Sequence, residues 1–594
     1  MAYRAPLKDM LFNIEHLASI DQIAKLPGFE DAGLETAQAV LEEAARFNEG
    51  VLSPLNWEGD KHPASWQAGQ VSASSGFKAA FEQFAAGGWQ GLQHPVAFGG
   101  QGLPKTIGAS CGEMQNSANM SFALCPLLTD GAIEALLTAG SDELKAIYLE
   151  KLVSGQWTGT MNLTEPQAGS DLAAVRTRAE PQADGSYKLT GNKIFISAGE
   201  HDLVSNIVHL VLARLPDAPV GSKGISLFVV PKFLVNSDGS LGERNAIYCG
   251  GLEHKMGIHG NATCQMVLDG AVGTLVGQPH KGLAAMFVMM NAARIGVGMQ
   301  SLGLTEVAYQ NALAYAKDRL QSRSLSGVKS PDKPADSILV HPDIRKMLLT
   351  AKAYAEGGRA LNLYCALLID QELHHPDEAV RAEALEMVAM LTPIVKAFIT
   401  DNGWIATSSC MQVFGGHGFI HEWGMEQFVR DSRINMIYEG TNTIQSLDLL
   451  GRKVLGNQGA TLKKLGKLIA TLVADETENE DMAEFIQPLA KLGQQMTQFT
   501  GEIGMKAMSN ADEVGAAAVD YLRVTGHLVF AYFWARMAKV ALQKIADGSR
   551  DPFYKAKLQT ARFYFAKLLP ETASLMQAAR AGSAVLMDTQ DVFV

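Results

Sequence analysis

The stretch YEGTNTI, residues 438–444, places one carboxylate beside a glycine and two hydroxyl side chains. Two further words precede it, QVFGGHGF at 412–419 and RDSRI at 430–434. Apolar neighbours in the sequence would shield Glu439 from water and raise its pKa toward neutrality. A shielded carboxylate of this kind can remove a proton from carbon. A buried structural glutamate paired with Arg433 is the alternative interpretation of the same residues.

The composition is that of a globular protein with a large core. The chain has 594 residues, of which 47% are hydrophobic and 19% charged, and its formal net charge is −12. This length predicts about two to four structural units. The acidic balance and the lack of a basic run argue against a nucleic-acid binder. The six cysteines form no CxxC pair, so we predict no metal site, and the low cysteine use suits a reducing compartment.

Neither end of the chain predicts a targeting or membrane segment. The N-terminal stretch MAYRAPLKDMLFNIEHL carries Asp9 and Glu15 among its apolar residues, so it lacks the uninterrupted core of a signal peptide. The apolar run from Leu528 to Ala535 is too short to cross a bilayer, which needs about 20 residues. We therefore expect a cytoplasmic protein with no membrane span.

Changes of texture along the chain predict an α+β fold that is mostly α. Short β-rich runs separated by turn residues follow a helical region and precede a second one. The predicted segments are an N-terminal extension at 1–37, an N-terminal helical domain at 38–155, a middle antiparallel β-domain at 156–275, a C-terminal four-helix bundle at 276–460 and an additional helical domain at 461–594.

A second distinctive word, MNLTEPQAGSD at 161–171, lies upstream of the first group. The words TEPQAGSD, QVFGGHGF, RDSRI and YEGTN, in this order, resemble the acyl-CoA dehydrogenase family. The resemblance covers roughly residues 38 to 455 and implies the family's order of helical domain, β-domain and four-helix bundle. GLEHKMGIHG at 251–260 and YAKDRLQSR at 315–323 look most like the longer branch with C-terminal helical additions. That branch includes very-long-chain members and methylthiopropanoyl-CoA enzymes.

The resemblance implies FAD as cofactor, because no side chain can accept a hydride. The loop at 161–171 is similar to the family's flavin loop, and the strand at 193–197 is similar to its WIT position. Phe195 replaces the usual tryptophan, and Ser197 replaces the threonine. A core strand aromatic is the alternative interpretation of Phe195.

Further cofactor contacts follow from the same resemblance. Arg319 aligns with an arginine that reaches the flavin diphosphate, whereas His341 aligns loosely and could equally be a surface histidine. The turn at 412–416 resembles the segment that holds the adenosine of FAD in a neighbouring subunit, which implies a homo-oligomer, a dimer or a tetramer. The predicted cofactor-binding residues are Met161, Leu163, Thr164, Gly169, Ser170, Phe195, Ser197, Arg319, His341, Gln412, Gly415, Gly416, Thr441 and Thr443.

The substrate side of the predicted site centres on Glu439 as the catalytic base. Asn291 and Arg294 align with the family's DxxR word, which contacts CoA, although asparagine departs from the aspartate. Gly440 and Ser170 are expected near the thioester. The methionines at 286, 289 and 290 are interpreted as core rather than as an acyl pocket.

The resemblance therefore implies an FAD-dependent acyl-CoA dehydrogenase of fatty acid β-oxidation. Its product would be a trans-2-enoyl-CoA, and its electrons would pass to an electron-transfer flavoprotein. A 3-methylthiopropanoyl-CoA dehydrogenase and an acyl-CoA oxidase are the alternatives within this architecture. A DNA-binding flavoprotein of the alkylation-response branch is a remote alternative, because it would need a basic C-terminal surface.

Overall fold

The N-terminal region is helical, as predicted, and precedes the sheet. The structure, a computed structural model, describes residues 2–588 and 591–593. The helices of this region are α1 (Leu7–His16), α2 (Ile20–Ile23), α3 (Leu34–Phe47), α4 (Ser53–Lys61), α5 (Phe77–Ala86), α6 (Lys105–Ala139) and α7 (Asp142–Val153), with a hairpin of β1 (Ser65–Gln67) and β2 (Gln70–Ser72) between α4 and α5. Helix α7 begins where the Ser141 side chain accepts the backbone N–H of Leu144, which satisfies one of its free donors.

The middle region forms the sheet that carries one side of the candidate site. Its strands are β3 (Trp157–Asn162), β4 (Arg178–Pro181), β5 (Tyr187–Ser197), β6 (Asn206–Arg214), β7 (Ile225–Pro231), β8 (Phe233–Val235), β9 (Leu241–Arg244), β10 (Ile247–Leu252) and β11 (Thr263–Val276). The order is β10-β11-β5-β4-β6-β3, and β7 pairs with both β11 and β6. Most pairs are antiparallel, as predicted, but β6 runs parallel to both β3 and β4. Every residue of β3 is buried, which is typical of parallel strands that are covered on both faces.

Three long helices form the bundle together with α6. They are α8 (Gly282–Asp318), α9 (Pro342–His374) and α10 (Glu378–Val413), and they are followed by α11 (Gly416–Phe419), α12 (Met425–Arg433) and α13 (Asn442–Leu447). Glycines let α8 approach its neighbours closely. A Cβ on Gly298 would lie 2.8 Å from the backbone oxygen of Val395, and one on Gly303 would lie 2.7 Å from the backbone nitrogen of Ser117. Met286 and Met289 are fully buried and Met290 nearly so, so these methionines belong to the core.

The C-terminal helices pack directly on the bundle. They are α14 (Ala460–Glu476), α15 (Ala483–Ser509), α16 (Asp512–Ala546), α17 (Pro552–Phe563), α18 (Glu571–Arg580) and α19 (Ala584–Met587). Helix α16 contacts α9, α10 and α13. The apolar run from Leu528 to Ala535 on α16 is buried in the same core cluster as the bundle residues Phe398 and Tyr354. The division of the chain into five segments stays a prediction, because this core is continuous across the boundary predicted near residue 460.

A buried group of charges joins both ends of the chain to the bundle. The guanidinium of Arg359 on α9 pairs with three carboxylates, those of Asp9, Glu113 and Glu306. The ammonium of Lys557 on α17 also pairs with Asp9, and it lies 2.6 Å from Glu356. Because Asp9 contacts cations from two different helices, α1 cannot leave without exposing unpaired buried charges.

Two helices, Lys105–Ala139 and Gly282–Asp318, are long and apolar enough to cross a membrane by length and composition alone. Of their most apolar windows, 78% and 50% respectively are buried inside the fold. Burial in the protein interior accounts for the apolar composition of both helices.

Candidate active site

The loop that carries Glu439 is held in a conformation that few side chains adopt. Glu439 has φ 57° and Gly440 has φ 82°, and a non-glycine residue in this region is uncommon and costs free energy. The backbone carbonyl of Glu439 accepts from Arg294 Nε at 3.4 Å and from Gln445 Nε2 at 3.2 Å. The Thr441 hydroxyl accepts the N–H of Ile444 at 3.4 Å and begins α13. These contacts hold the strained loop in place.

The carboxylate of Glu439 lies half-buried and unpaired. Burial raises its pKa, and the cations Arg294 and Lys396 oppose that rise. Within residues 2–588 and 591–593, no side chain forms a salt bridge or hydrogen bond with this carboxylate. The alternative partner, Arg433, instead places its guanidinium 5.9 Å from the centre of the Trp404 ring. A carboxylate with a raised pKa and no partner is available to accept a proton.

Arg294 and Asn291 lie on one face of α8 beside this loop. Arg294 Nη1 donates to Asn291 Oδ1 at 3.4 Å, as the spacing of three residues allows. Arg294 also lies close to Gly440: a Cβ built on Gly440 would be 3.8 Å from Arg294 Nη2. Arg294 and Gly440 therefore lie beside Glu439. Asn291 is exposed and contacts Arg294 rather than the Glu439 loop.

Sequence reasoning missed a polar group beneath the loop. Lys396 on α10 donates to Asn442 Oδ1 at 2.8 Å. The amide nitrogen of Asn442 donates to Asp401 at 2.6 Å and to Thr400 at 2.9 Å. Burial lowers the pKa of Lys396 to about 7, against the opposing effect of Glu439 and Asp401. A signal was present, since Lys396 is the one charged residue in the apolar run at 387–399.

Tyr438 is anchored on the other side of the loop. Its hydroxyl donates to Gln300 Oε1, and it also lies 3.1 Å from Asn435 Oδ1. Burial raises the pKa of Tyr438 well above its usual range, so it stays protonated. The side chain that precedes Glu439 in the sequence is therefore fixed by contacts that do not involve the carboxylate.

The predicted flavin loop leaves β3 and is fastened to β5. Lys193 Nζ donates to the Leu163 carbonyl at 3.0 Å and pairs with Glu165 at 2.8 Å, both inside the protein. The Ile194 N–H donates to the Thr164 carbonyl at 2.9 Å. The structure thus brings this loop and the strand at 193–197 together.

The outer part of this surface is open. Gly169 and Ser170 are exposed at the loop, Met161 is buried beneath it and Ser197 is half-buried. Phe195 is 60% exposed and has φ 60°. The alternative interpretation of Phe195 as a core aromatic is therefore wrong, because the left-handed backbone turns its ring out of the sheet. An exposed ring on a strained backbone offers an apolar surface that a planar ligand could cover.

The remaining predicted cofactor residues form a second group at the far end of α8. Tyr315 stacks on Phe414 with ring centres 4.1 Å apart, and its hydroxyl lies 2.9 Å from His417 Nδ1. This contact places exposed Arg319 near the turn that holds Gln412, Gly415 and Gly416, all exposed. His341 Nε2 contacts the Gln321 carbonyl at 3.1 Å.

In the described part of the chain, no hydrogen bond links this second group to the Glu439 loop. Thr443 is exposed and is the second residue of α13, two positions after the capping residue Thr441. The predicted cofactor residues thus occupy two separate surfaces within one chain, apart from Thr441 and Thr443, which lie at the Glu439 loop.

One set of side chains among the described residues could hold a metal ion by distance alone, namely Asp60, His421 and Glu426. Arg430 pairs with both carboxylates of this set, and Asp60 also contacts His259 at 2.8 Å. The side chains of Arg430 and His259 therefore already pair with the carboxylates that a metal ion would need.

Models of one family match successive parts of the chain. The N-terminal domain of acyl-CoA dehydrogenase matches residues 35–156, its middle domain matches 160–271 and its C-terminal domain matches 280–455. A further model, described as "Acetyl-CoA dehydrogenase C-terminal like", matches residues 463–590.

Several known proteins are similar over nearly the full length. The 3-methylmercaptopropionyl-CoA dehydrogenase of Ruegeria pomeroyi is 45% identical over 97% of both chains. The broad-specificity linear acyl-CoA dehydrogenase FadE5 of Mycobacterium tuberculosis is 33% identical over 96% of both chains. A solved structure of Caenorhabditis elegans ACDH-11 in complex with C11-CoA shares the fold, with a TM-score of 0.78, 20% identity and coverage of 99% of this chain and 96% of that one.

Proposed function

Since the chain belongs to the acyl-CoA dehydrogenase family and is an oxidoreductase acting on CH–CH bonds, we propose that Glu439 is its catalytic base. The reaction is the α,β-dehydrogenation of an acyl-CoA thioester to a trans-2-enoyl-CoA. The observation that carries the proposal is the unpaired Glu439 carboxylate, whose pKa burial raises. Such a group is matched to proton abstraction near neutral pH.

FAD fits the residues at the two cofactor surfaces. A Cβ added to Gly169, Gly415 or Gly416 would meet no atom within 4 Å, so a ligand can approach the backbone there, and the Phe195 ring is free to be covered. Bound FAD would supply the two-electron acceptor that side chains lack. The residues that would hold its flavin end are Met161, Leu163, Thr164, Gly169, Ser170, Phe195 and Ser197. Arg319, His341, Thr441, Thr443 and the turn at 412–416 would hold the remainder.

Each of the groups around Glu439 has a separate role in the proposed reaction. Glu439 accepts the proton from the α-carbon, and its backbone N–H donates to the thioester oxygen as negative charge develops there. Arg294 and Gln445 hold the Glu439 carbonyl, which keeps that N–H oriented. Asn291, Arg294, Ser170 and Gly440 form the substrate side. The half-buried position of Glu439 limits contact of its carboxylate with water, which strengthens the interactions that the carboxylate makes.

We propose a short acyl thioester as substrate, with 3-methylthiopropanoyl-CoA as the first candidate. The relative with the higher identity acts, by its name, on that compound, and the other acts on linear acyl-CoA. The electron acceptor in this proposal is an electron-transfer flavoprotein, and the setting is acyl-CoA β-oxidation in the cytoplasm. An oxidase would instead release peroxide in air, so a peroxide assay separates the two.

A homo-oligomer is part of the same proposal. Phe419 is 80% exposed and Trp423 is 40% exposed, and both lie beside the turn at 412–416 that would meet FAD in a neighbouring copy. Exposed large apolar side chains grouped in this way are typical of an interface. Light scattering of the FAD-loaded protein separates a dimer from a tetramer, and a monomer would contradict the proposal.

The test is the variant Glu439→Gln with anaerobic flavin bleaching against a panel of acyl-CoA thioesters. We expect the variant to retain FAD, and we expect the rate of flavin bleaching to fall by at least about 100-fold. Glu478→Gln changes an exposed glutamate and serves as the matched control. Rapid bleaching of Glu439→Gln would show that another group is the base.

A further inference from the structure

We propose that Lys396 is a positioning residue that holds the Glu439 loop through Asn442. Nothing in the motif words points to it, since Lys396 lies on α10, 43 residues before Glu439 by position in the chain. The inference deepens the proposed function and rests on it, because it concerns the base of that reaction.

The geometry is a clamp on the first residue of α13. Lys396, Thr400 and Asp401 lie within about one and a half turns of α10 and meet the two ends of the Asn442 amide. Lys396 Nζ donates to Oδ1 at 2.8 Å, whereas Nδ2 donates to Asp401 at 2.6 Å and to Thr400 at 2.9 Å. Asn442 follows Glu439 by three residues. The clamp therefore fixes Asn442, which ends the strained loop only two residues after Gly440.

Burying a lysine at this position costs free energy of folding unless anions compensate its charge. Its side chain is fully buried in an apolar part of α10, and burying an ammonium without compensation is unfavourable. An apolar residue would pack there at lower cost. The nearby anions that compensate Lys396 are Glu439 and Asp401.

The same ammonium acts on the carboxylate of Glu439. Lys396 and Arg294 both lower the pKa of Glu439 against the effect of burial. The charged groups that face this cluster from neighbouring elements are Arg294 on α8, Arg433 on α12 and Arg523 on α16, the last two acting on Asp401. Removing Lys396 takes one of two cations from Glu439, so a larger fraction of the base is protonated at a given pH.

The experiment compares Lys396→Met, Lys396→Arg and Asn442→Leu in the FAD-loaded protein. Two measurements are made: the pH profile of anaerobic flavin reduction by acyl-CoA, and hydrogen exchange of the backbone at 437–447. For Lys396→Met we expect a reduction rate lower by on the order of 10-fold near pH 6, an acid limb moved to higher pH and faster exchange. Lys396→Arg restores the acid limb because it restores the charge.

Asn442→Leu separates positioning from charge. It breaks the clamp but leaves the ammonium, so we expect faster exchange with an unmoved acid limb. In the double variant Lys396→Met/Asn442→Leu, the loss of exchange protection should be smaller than the sum of the losses in the two single variants, since both changes remove the same contact. Lys464→Met is the matched control, because Lys464 is only half-buried and pairs with the exposed residue Glu386. Lys396→Gln keeps a donor without the charge and replaces Lys396→Met if the latter does not fold.

An acid limb and an exchange pattern in Lys396→Met identical to those of the original protein would overturn the inference. A uniform loss of rate that Lys396→Arg does not restore would also overturn it, since that marks a general packing role. If the unmodified protein is not reduced by any acyl-CoA, the proposed function fails. In that case the exchange measurement still decides whether Lys396 holds the loop.

Discussion

Glu439 departs from ordinary glutamates in both its backbone and its side chain. Its left-handed backbone is kept by contacts to the carbonyl of the same residue, and its carboxylate is left unpaired while burial raises its pKa. Residues held in sparsely populated conformations cluster at functional sites. Strain and burial at a single residue are consistent with selection for chemistry rather than for stability.

The raised pKa predicts a pH dependence at this scale. Only the carboxylate form accepts a proton, so the rate of flavin reduction falls as pH decreases through the pKa of Glu439. We expect this fall at a pH above the value of about 4.3 for an ordinary glutamate. Stopped-flow reduction across the acid range measures it, and the flavin absorbance before mixing controls for loss of FAD. A rate unchanged down to that ordinary value would contradict the prediction.

Among the elements, α16 has the clearest link to the site. It packs on α10 and on α13, which are the two helices that hold Lys396 and Asn442. Its close approach depends on Gly526, where a Cβ would lie 2.3 Å from Cγ of the Phe398 ring. The added C-terminal helices therefore support α13, the helix that begins directly after the Glu439 loop.

Gly526→Ala should destabilise the protein by about 1–3 kcal/mol, because the extra methyl group overpacks the contact with Phe398. Gly515→Ala is a matched control in the same helix, since a Cβ there meets no atom within 4 Å. That change should be neutral or stabilising by up to about 1 kcal/mol, through higher helix propensity. Denaturant unfolding of both variants measures the difference. Equal stabilities would show that α16 does not depend on this contact.

At the scale of the whole molecule, the buried charges tie the two ends of the chain to the bundle. Asp9 comes from the first helix, Arg359 from the bundle and Lys557 from the last part of the chain. Burial alone would raise the pKa of Asp9, but Lys557 and Arg359 outweigh it and hold the pKa at about 2. The N-terminal extension and the C-terminal helices are therefore expected to unfold together with the bundle.

Asp9→Asn should cost about 3–5 kcal/mol, because it leaves buried cations without their partner. The pKa of Asp9 is lowered from 3.8 to about 2 on folding, so its contribution is present above about pH 4 and is lost as pH falls toward 2. The variant should lose this part of the acid sensitivity. Thermal melting at several pH values tests both points, with exposed Asp21→Asn as control. A melting temperature equal to that of the control would contradict the prediction.

Much of the fold and the centre of the candidate site could be predicted from the sequence, because their signals are local. Alternating β-rich runs indicate the sheet, and long apolar periods indicate the bundle helices. The resemblance of the words at 161–171 and 438–444 to one family singles out one loop and one carboxylate. Each of these patterns depends on residues close together in the chain. The exposure of Phe195 is a local exception, because a left-handed backbone is not visible in an alternating pattern.

Tertiary structure alone decided which distant residues meet. The parallel pairing of β3 with β6, the contact of Lys396 with Asn442 and the pairing of Asp9 with Lys557 join residues that are far apart in the chain. No local pattern encodes such partners, because they result from the packing of whole helices and strands. The pKa values follow the same rule, since burial and nearby charge exist only once the chain has folded.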